Sequence, residues 1–217
     1  MSNHTCENFM VATNIQANYV YQGNSTPILL ECRKGFRRST LFTAIEGEIC
    51  SIESRPQNIL LDLVHHIPQG AAITISHRVG LEVNKTLHEV DVLESLLREG
   101  ESESASESEV QISLSCSVEQ RSYRTQLCAD IYEALDELVN LLSKQGDTVL
   151  RICPFCEYAD FHAHCLFCLR DAAPENLAAI RILGKHAEDT NWYHGGIWGL
   201  DEFHTCVSFK ECSVRIF

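Results

Sequence analysis

The 217-residue chain is 45 % hydrophobic and 22 % charged, an ordinary globular composition with enough apolar surface for one substantial core or two small ones. A formal net charge of -13 argues against nucleic acid as a partner, because phosphates select proteins with basic stripes, and no apolar run nears the roughly 20 residues of a membrane span. Eleven cysteines, an odd number with CxxC spacing, and an N-terminus lacking a signal-peptide pattern predict reduced thiols in the cytoplasm.

In chain order, Phe9 to Tyr21 and Ile28 to Cys32 read as two strands around a Gln22-Gly23-Asn24-Ser25 turn. Arg33, Lys34, Arg37 and Arg38 form a basic cluster that reads as a charged loop. Thr40 to Ile52 reads as a strand interrupted at Gly47, Ile59 to Val64 as another, and Ala71 to Val79 as a third with Ile73, Ile75 and His77 on one face. Thr86 to Arg98 has Leu87, Val90, Leu93 and Leu97 at helical spacing and predicts a short amphipathic helix stopped by Gly100.

Residues 99 to 109 hold five glutamates and nothing apolar larger than Ala105, so they carry -5 of the net charge. Such a tract buries too little surface to offset its ordering entropy and predicts a linker or mobile loop. Beyond it, Val110, Ile112, Leu114, Cys116 and Val118 alternate with polar residues as in a half-buried strand. Tyr123 to Lys144 has helical periodicity, and Val149 to Ile152 reads as a buried strand delivering Cys153. A second helix is expected over Ala173 to Leu183, a loop with both tryptophans over Asn191 to Gly199, and short terminal strands over Phe203 to Phe209 and Ser213 to Phe217. The fold class predicted is α+β. Residues 1–98 form a β-rich region with a terminal helix, 99–109 the acidic connection, and 110–217 a strand-helix-strand region carrying a structural zinc site. The two halves are allowed to share one core.

Cys153-Pro154-Phe155-Cys156 and Cys165-Leu166-Phe167-Cys168 are two CxxC pairs separated by eight residues. Four thiolates suit Zn²⁺, a borderline-soft ion without a d-electron geometry preference, at the corners of a tetrahedron. Cys153, Cys156, Cys165 and Cys168 are therefore the expected metal ligands, with His162, His164 and His204 near enough in sequence for a Cys₃His set. The stretch resembles a zinc ribbon, whose CxxC knuckles imply a structural metal and no activity. Residues 149 to 210 also resemble uncharacterised bacterial proteins with a C-terminal CxxC, an aromatic-flanked Asp, a Cys before Arg-Asp and a late Cys before an aromatic ending. Here those are Cys153 and Cys156, the Tyr158 to Phe161 stretch, Cys168 before Arg170-Asp171, and Cys206 before Phe209. That resemblance implies Cys206 as fourth ligand in place of Cys165. Cys6, Cys32, Cys50, Cys116 and Cys128 stand singly and read as buried small hydrophobes.

The chain carries neither HExxH nor the deaminase pattern of His-x-Glu with Pro-Cys-x-x-Cys, and no phosphate loop or nucleophile elbow. The functional expectation is a cytoplasmic, zinc-stabilised protein-interaction module, an acidic inhibitor or immunity-type protein binding a basic partner. The alternatives are a zinc-dependent enzyme with a Cys/His site and a CxxC thiol-redox protein.

Overall fold

Four two-residue turns shape the chain. Gln22-Gly23, Glu46-Gly47, Asn84-Lys85 and Glu119-Gln120 all have positive φ at both positions, between 48° and 85°. This is the type I′ pattern, whose twist matches that of paired strands. Each turn closes a hairpin: β1 (Val11–Tyr21) with β2 (Asn24–Lys34), β3 (Ser39–Ile45) with β4 (Glu48–Ser54), β5 (Ala72–Val83) with β6 (Thr86–Arg98), and β7 (Val110–Val118) with β8 (Arg121–Arg124). The computed structural model describes residues 11–34, 39–54, 59–99, 110–144, 146–156, 159–162, 165–168, 197–198, 203 and 209. Helix α1 (Ile59–His65) follows the first four strands, and α2 (Ile131–Ser143) and β9 (Thr148–Arg151) follow the second four. The strand order is β4-β3-β2-β1-β5-β6-β7-β8, with β9 on β5.

The chain divides into two compact units, the first Met1–Ser76, Leu93–Cys116 and Ser122–Leu138, the second His77–Val92, Ser117–Arg121 and Val139–Phe217. In the first, register sets a core row directly: Cys32 pairs with Leu41, and Leu41 with Ile52, all three buried. Helix α1 lies against β3 and β4 with Ile59, Leu63 and Val64 buried. Ser54 is hydrogen-bonded to the Asp62 carboxylate. At the end of the helix, Arg98 Nη1 donates to the His65 carbonyl at 2.9 Å and to the Ile67 carbonyl, so backbone oxygens left by the last turn find a cation. Helix α2 starts where Asp130 Oδ1 accepts the amides of Tyr132 and Glu133 at 2.8 and 2.9 Å, an N-cap. Its buried stripe includes Ala134, Leu135 and Leu138.

In the second unit, β9 pairs antiparallel with β5, Gly80 opposite Arg151 and Val83 opposite Thr148. The approach to β9 depends on Gly146. Its φ is +139°, and a Cβ there would lie 2.7 Å from Asn84 Oδ1, while the Asn84 amide donates to the Asp147 carbonyl at 2.8 Å. The φ of +139° is what calls for glycine here, since the Asn84 side chain could swing away from a Cβ but an L residue would stay strained.

The structure overturns the α+β class and its strand-helix-strand C-terminal half. The protein is β-rich, with a large antiparallel sheet and two short helices among the described residues. The physical reason is that β7 and β8 continue the sheet beyond β6 and β9 joins β5, so no separate layer forms around α2. The helix expected over Thr86 to Arg98 is strand β6. Val90, Val92, Glu94 and Leu96 are buried while Leu87 and Leu93 are exposed, a period of two that outweighs the helical spacing of the leucines. The strand expected over Ile59 to Val64 is α1, and Thr40 to Ile52 is a hairpin. Tyr123, placed in a helix by periodicity, belongs to β8, and α2 begins only at Ile131. The acidic tract joins β6 to β7, which are neighbours in the sheet. The tract beyond Glu99, the basic residues Arg37 and Arg38, the expected Ala173 to Leu183 helix and the Ser213 to Phe217 strand lie outside the described residues. No helix among the described residues is long and apolar enough to cross a membrane.

Candidate metal centre

Strand β9 ends in an extended Ile152 with φ -122° and ψ 161°, and the chain then tightens into a 3-10 turn over Cys153–Phe155. Pro154 suits the start of that turn because its ring fixes φ and the amide it lacks has no partner there. The Cys156 amide donates to the Cys153 carbonyl at 2.9 Å and the Phe155 amide to the Ile152 carbonyl at 3.1 Å. Cys153 and Cys156 are each 4 % exposed, with Phe155 buried beside them. The first CxxC is therefore a closed, desolvated turn that presents two sulfurs from one short segment.

Beyond it, β10 (Ala159–His162) and β11 (Cys165–Cys168) form a hairpin, extended by β12 (Ile197–Trp198), which turns part of the expected tryptophan loop into strand. The 3-10 turn lies against both β10 and β11. In register, Cys168 stands opposite Ala159, three residues after Cys156, and Cys165 stands opposite His162 at the other end of the hairpin. Cys165 and Cys168 are thus the two ends of one strand, about 10 Å apart at a strand rise of about 3.3 Å per residue. The two CxxC pairs differ in backbone: the first is a turn and the second is extended. Among the described residues no group of three or more His, Cys, Asp or Glu side chains is placed to hold a metal. Cys206, His164 and His204 lie outside the described residues.

Sequence reading passed over two aromatic anchors of the C-terminal segment. His77 of β5 stacks on Phe203, with centroids 3.9 Å apart and an interplanar angle of 14°. The Arg151 guanidinium lies 5.3 Å from the centre of the Phe209 ring, a cation–π contact two residues before Cys153. The signal available was the pair Phe203 and Phe209 around Cys206, which reads as a short strand when the partners are unknown.

The single cysteines differ in kind from the CxxC pair. Burial pushes the Cys116 thiol from 9.0 up to about 11. Cys128 rises to about 11 through burial first, then the carboxylates of Glu133, Glu137 and Asp130, with its thiol also donating to Glu137 at 3.6 Å. A pKa raised by folding means the folded chain holds its proton more tightly. The stability linked to it is full below the unfolded value near 9 and is lost as pH rises toward 11. Urea titrations are expected to give a constant unfolding free energy up to about pH 8.5 and a decline of roughly 2 kcal/mol from Cys116 by pH 11. Cys116→Ala should remove its share of the decline and leave the share from Cys128; an unchanged slope would remove the assignment.

No protein-family model, no curated protein and no solved structure matches the chain.

Proposed function

We propose that the chain is a cytoplasmic, zinc-stabilised protein-interaction module, an inhibitor or immunity-type protein that masks a basic partner. The observation that carries the metal is the buried Cys153–Cys156 turn, which packs against the hairpin bearing Cys165 and Cys168. Thiol-redox pairs work through an exposed thiolate, so the burial of both thiols supports a structural metal instead. Zinc bound there would tie β9 to the chain beyond it. Cys153, Cys156 and Cys168 are the proposed common ligands, with Cys165 or Cys206 completing the set. Two observations support Cys206. Cys165 stands at the far end of its strand from Cys168, and Cys206 is three residues from each of Phe203 and Phe209, both anchored in the same unit. The basic partner rests on the net charge of -13.

Metal analysis of untagged protein tests the site. One zinc per chain is expected in the wild type and in Cys165→Ser, with loss in Cys206→Ser. Loss only in Cys165→Ser would assign a local ribbon-like knuckle, and metal-free wild type would overturn the zinc reading.

A further inference from the structure

Strand β4 is an end strand of the large sheet, pairing only with β3 among the described residues. The hydrogen-bonding direction of each residue follows from the turn. Ile45 and Glu48 flank a two-residue loop and so exchange both backbone bonds. Alternation then assigns Cys50, opposite Thr43, and Ile52, opposite Leu41, to bonding with β3 as well. The amides and carbonyls of Ile49 and Ser51 therefore point away from β3, along the open edge.

Natural sheets blunt such edges with lysine, proline, a bulge or a very short strand. The opposite end strand, β8, is four residues long and carries Arg121 and Arg124. Strand β4 is seven residues long, Glu-Ile-Cys-Ser-Ile-Glu-Ser, with no Lys or Pro. Its Ile49 side chain is 84 % exposed, the most exposed large apolar side chain of the described residues. Ile49 pairs with Ala44, which is exposed, and Ser51 pairs with Phe42, so apolar surface runs inward from the edge on the open face. Arg33 lies over Phe42 with its guanidinium 5.1 Å from the ring centre, one strand further in. Residues 39–54 contain Glu46, Glu48 and Glu53 and no basic residue, so β3 and β4 with their turn are acidic as well as apolar.

We propose that the β4 edge binds an extended, basic segment of a partner protein by strand addition. The incoming strand takes the outward backbone groups of Ile49 and Ser51, packs an apolar side chain against Ile49, and sets lysine or arginine near Glu46 and Glu48. The proposal rests on the reading of the chain as a binder of a basic partner and gives that partner a place to bind. A second copy of this chain is the poorer occupant, because pairing β4 with β4 brings glutamates together with no cation between them.

The test uses full-length protein and two fluorescent peptides of equal composition, Lys-Val-Lys-Val-Lys-Val-Lys and Lys-Lys-Lys-Lys-Val-Val-Val, followed by anisotropy at low and moderate salt. The alternating peptide is expected to bind at least tenfold more tightly than the block peptide. Ser51→Pro, which removes an outward donor and leaves the bonds to β3 intact, should cost at least tenfold. Ile49→Lys, at a side chain already in solvent, should do the same without altering the melting temperature. Equal binding of both peptides, unaffected by Ser51→Pro, overturns the edge and leaves the basic-partner reading standing. Binding of neither peptide, nor of any basic protein, overturns that reading along with the proposal. A concentration-dependent dimer lost in Ser51→Pro assigns the edge to a second copy and overturns the basic occupant.

Discussion

Replacing Leu41 by alanine is expected to lower the unfolding free energy by about 3–5 kcal/mol, the usual cost of emptying a filled leucine site. Leu41 has 0 % exposure. It sits in the middle of β3, between Cys32 on one side and Ile52 on the other, in a row that α1 overlies. None of these neighbours collapses easily into the gap. Cys32 and Ile52 are held by strand pairing, and α1 is tied by Ser54 to Asp62 at its middle and by Arg98 at its end. The removed atoms therefore leave a cavity instead of a relaxed core, which places the effect in the upper part of the range. With a total stability of about 5–15 kcal/mol for a typical domain, the variant should lose roughly a fifth or more of its margin, and its melting midpoint should fall by about 10 °C. Urea and thermal unfolding check this together. A loss near 1 kcal/mol would mean that β3 and α1 repack, and that the row is not the rigid centre of the first unit.

How much of this was legible in sequence depends on what each residue had to decide. Strand β7 is the strand predicted, Val110 to Val118, because its five apolar residues alternate without interruption and no competing period is present. The hairpins were half visible. Gly23 and Gly47 mark their turns, but Asn84-Lys85 and Glu119-Gln120 reach positive φ without glycine, so Asn84 is a weak mark for one and nothing local announces the other. Missing the Asn84-Lys85 turn had a direct consequence. Without a partner strand, Leu87, Val90, Leu93 and Leu97 fit a helix as well as Val90, Val92 and Leu96 fit a strand. Pairing within the sheet, a non-local term, settles the choice. The misreading of Ile59 to Val64 runs the other way, since this apolar run, broken only at Asp62, is too short to show a period and its helical state is decided by the sheet face beneath it.

At the candidate metal centre the CxxC spacing located the turn correctly, because Cys-Pro-Phe-Cys is a local motif. It could not tell that the second CxxC would lie along a strand, since that depends on the pairing of β11 with both β10 and β12. Nor could it show that Phe203 and Phe209 have partners in His77 and Arg151, which stand 126 and 58 residues earlier in the chain. Spacing specifies ligand types; register decides which of them meet.

Cys153→Ser follows from that distinction and carries the second large effect. On the proposed reading Cys153 joins the sheet to the metal, since it follows β9 at the point where the chain leaves its pairing with β5. A structural zinc contributes about 10–16 kcal/mol of binding free energy in small zinc-dependent peptides, where folding and binding are one event. Here the sheet supplies its own stability, so the expected loss is smaller, about 4 kcal/mol or more, and falls on the second unit. Amide exchange should quicken in Val149 to Phe155 and in β10 and β11, and stay slow in β1 to β4. Chelation of the wild type should reproduce the same pattern, and chelation of Cys153→Ser should add nothing to it. Cys116→Ala, which removes a buried thiol outside the turn, should keep its full response to chelator. Wild type indifferent to prolonged chelation, with Cys153→Ser costing only about 1 kcal/mol, would return Cys153 to the buried apolar cysteines. That result would leave β9 held by its pairing with β5 and by the passage of Gly146 beneath the Asn84-Lys85 turn.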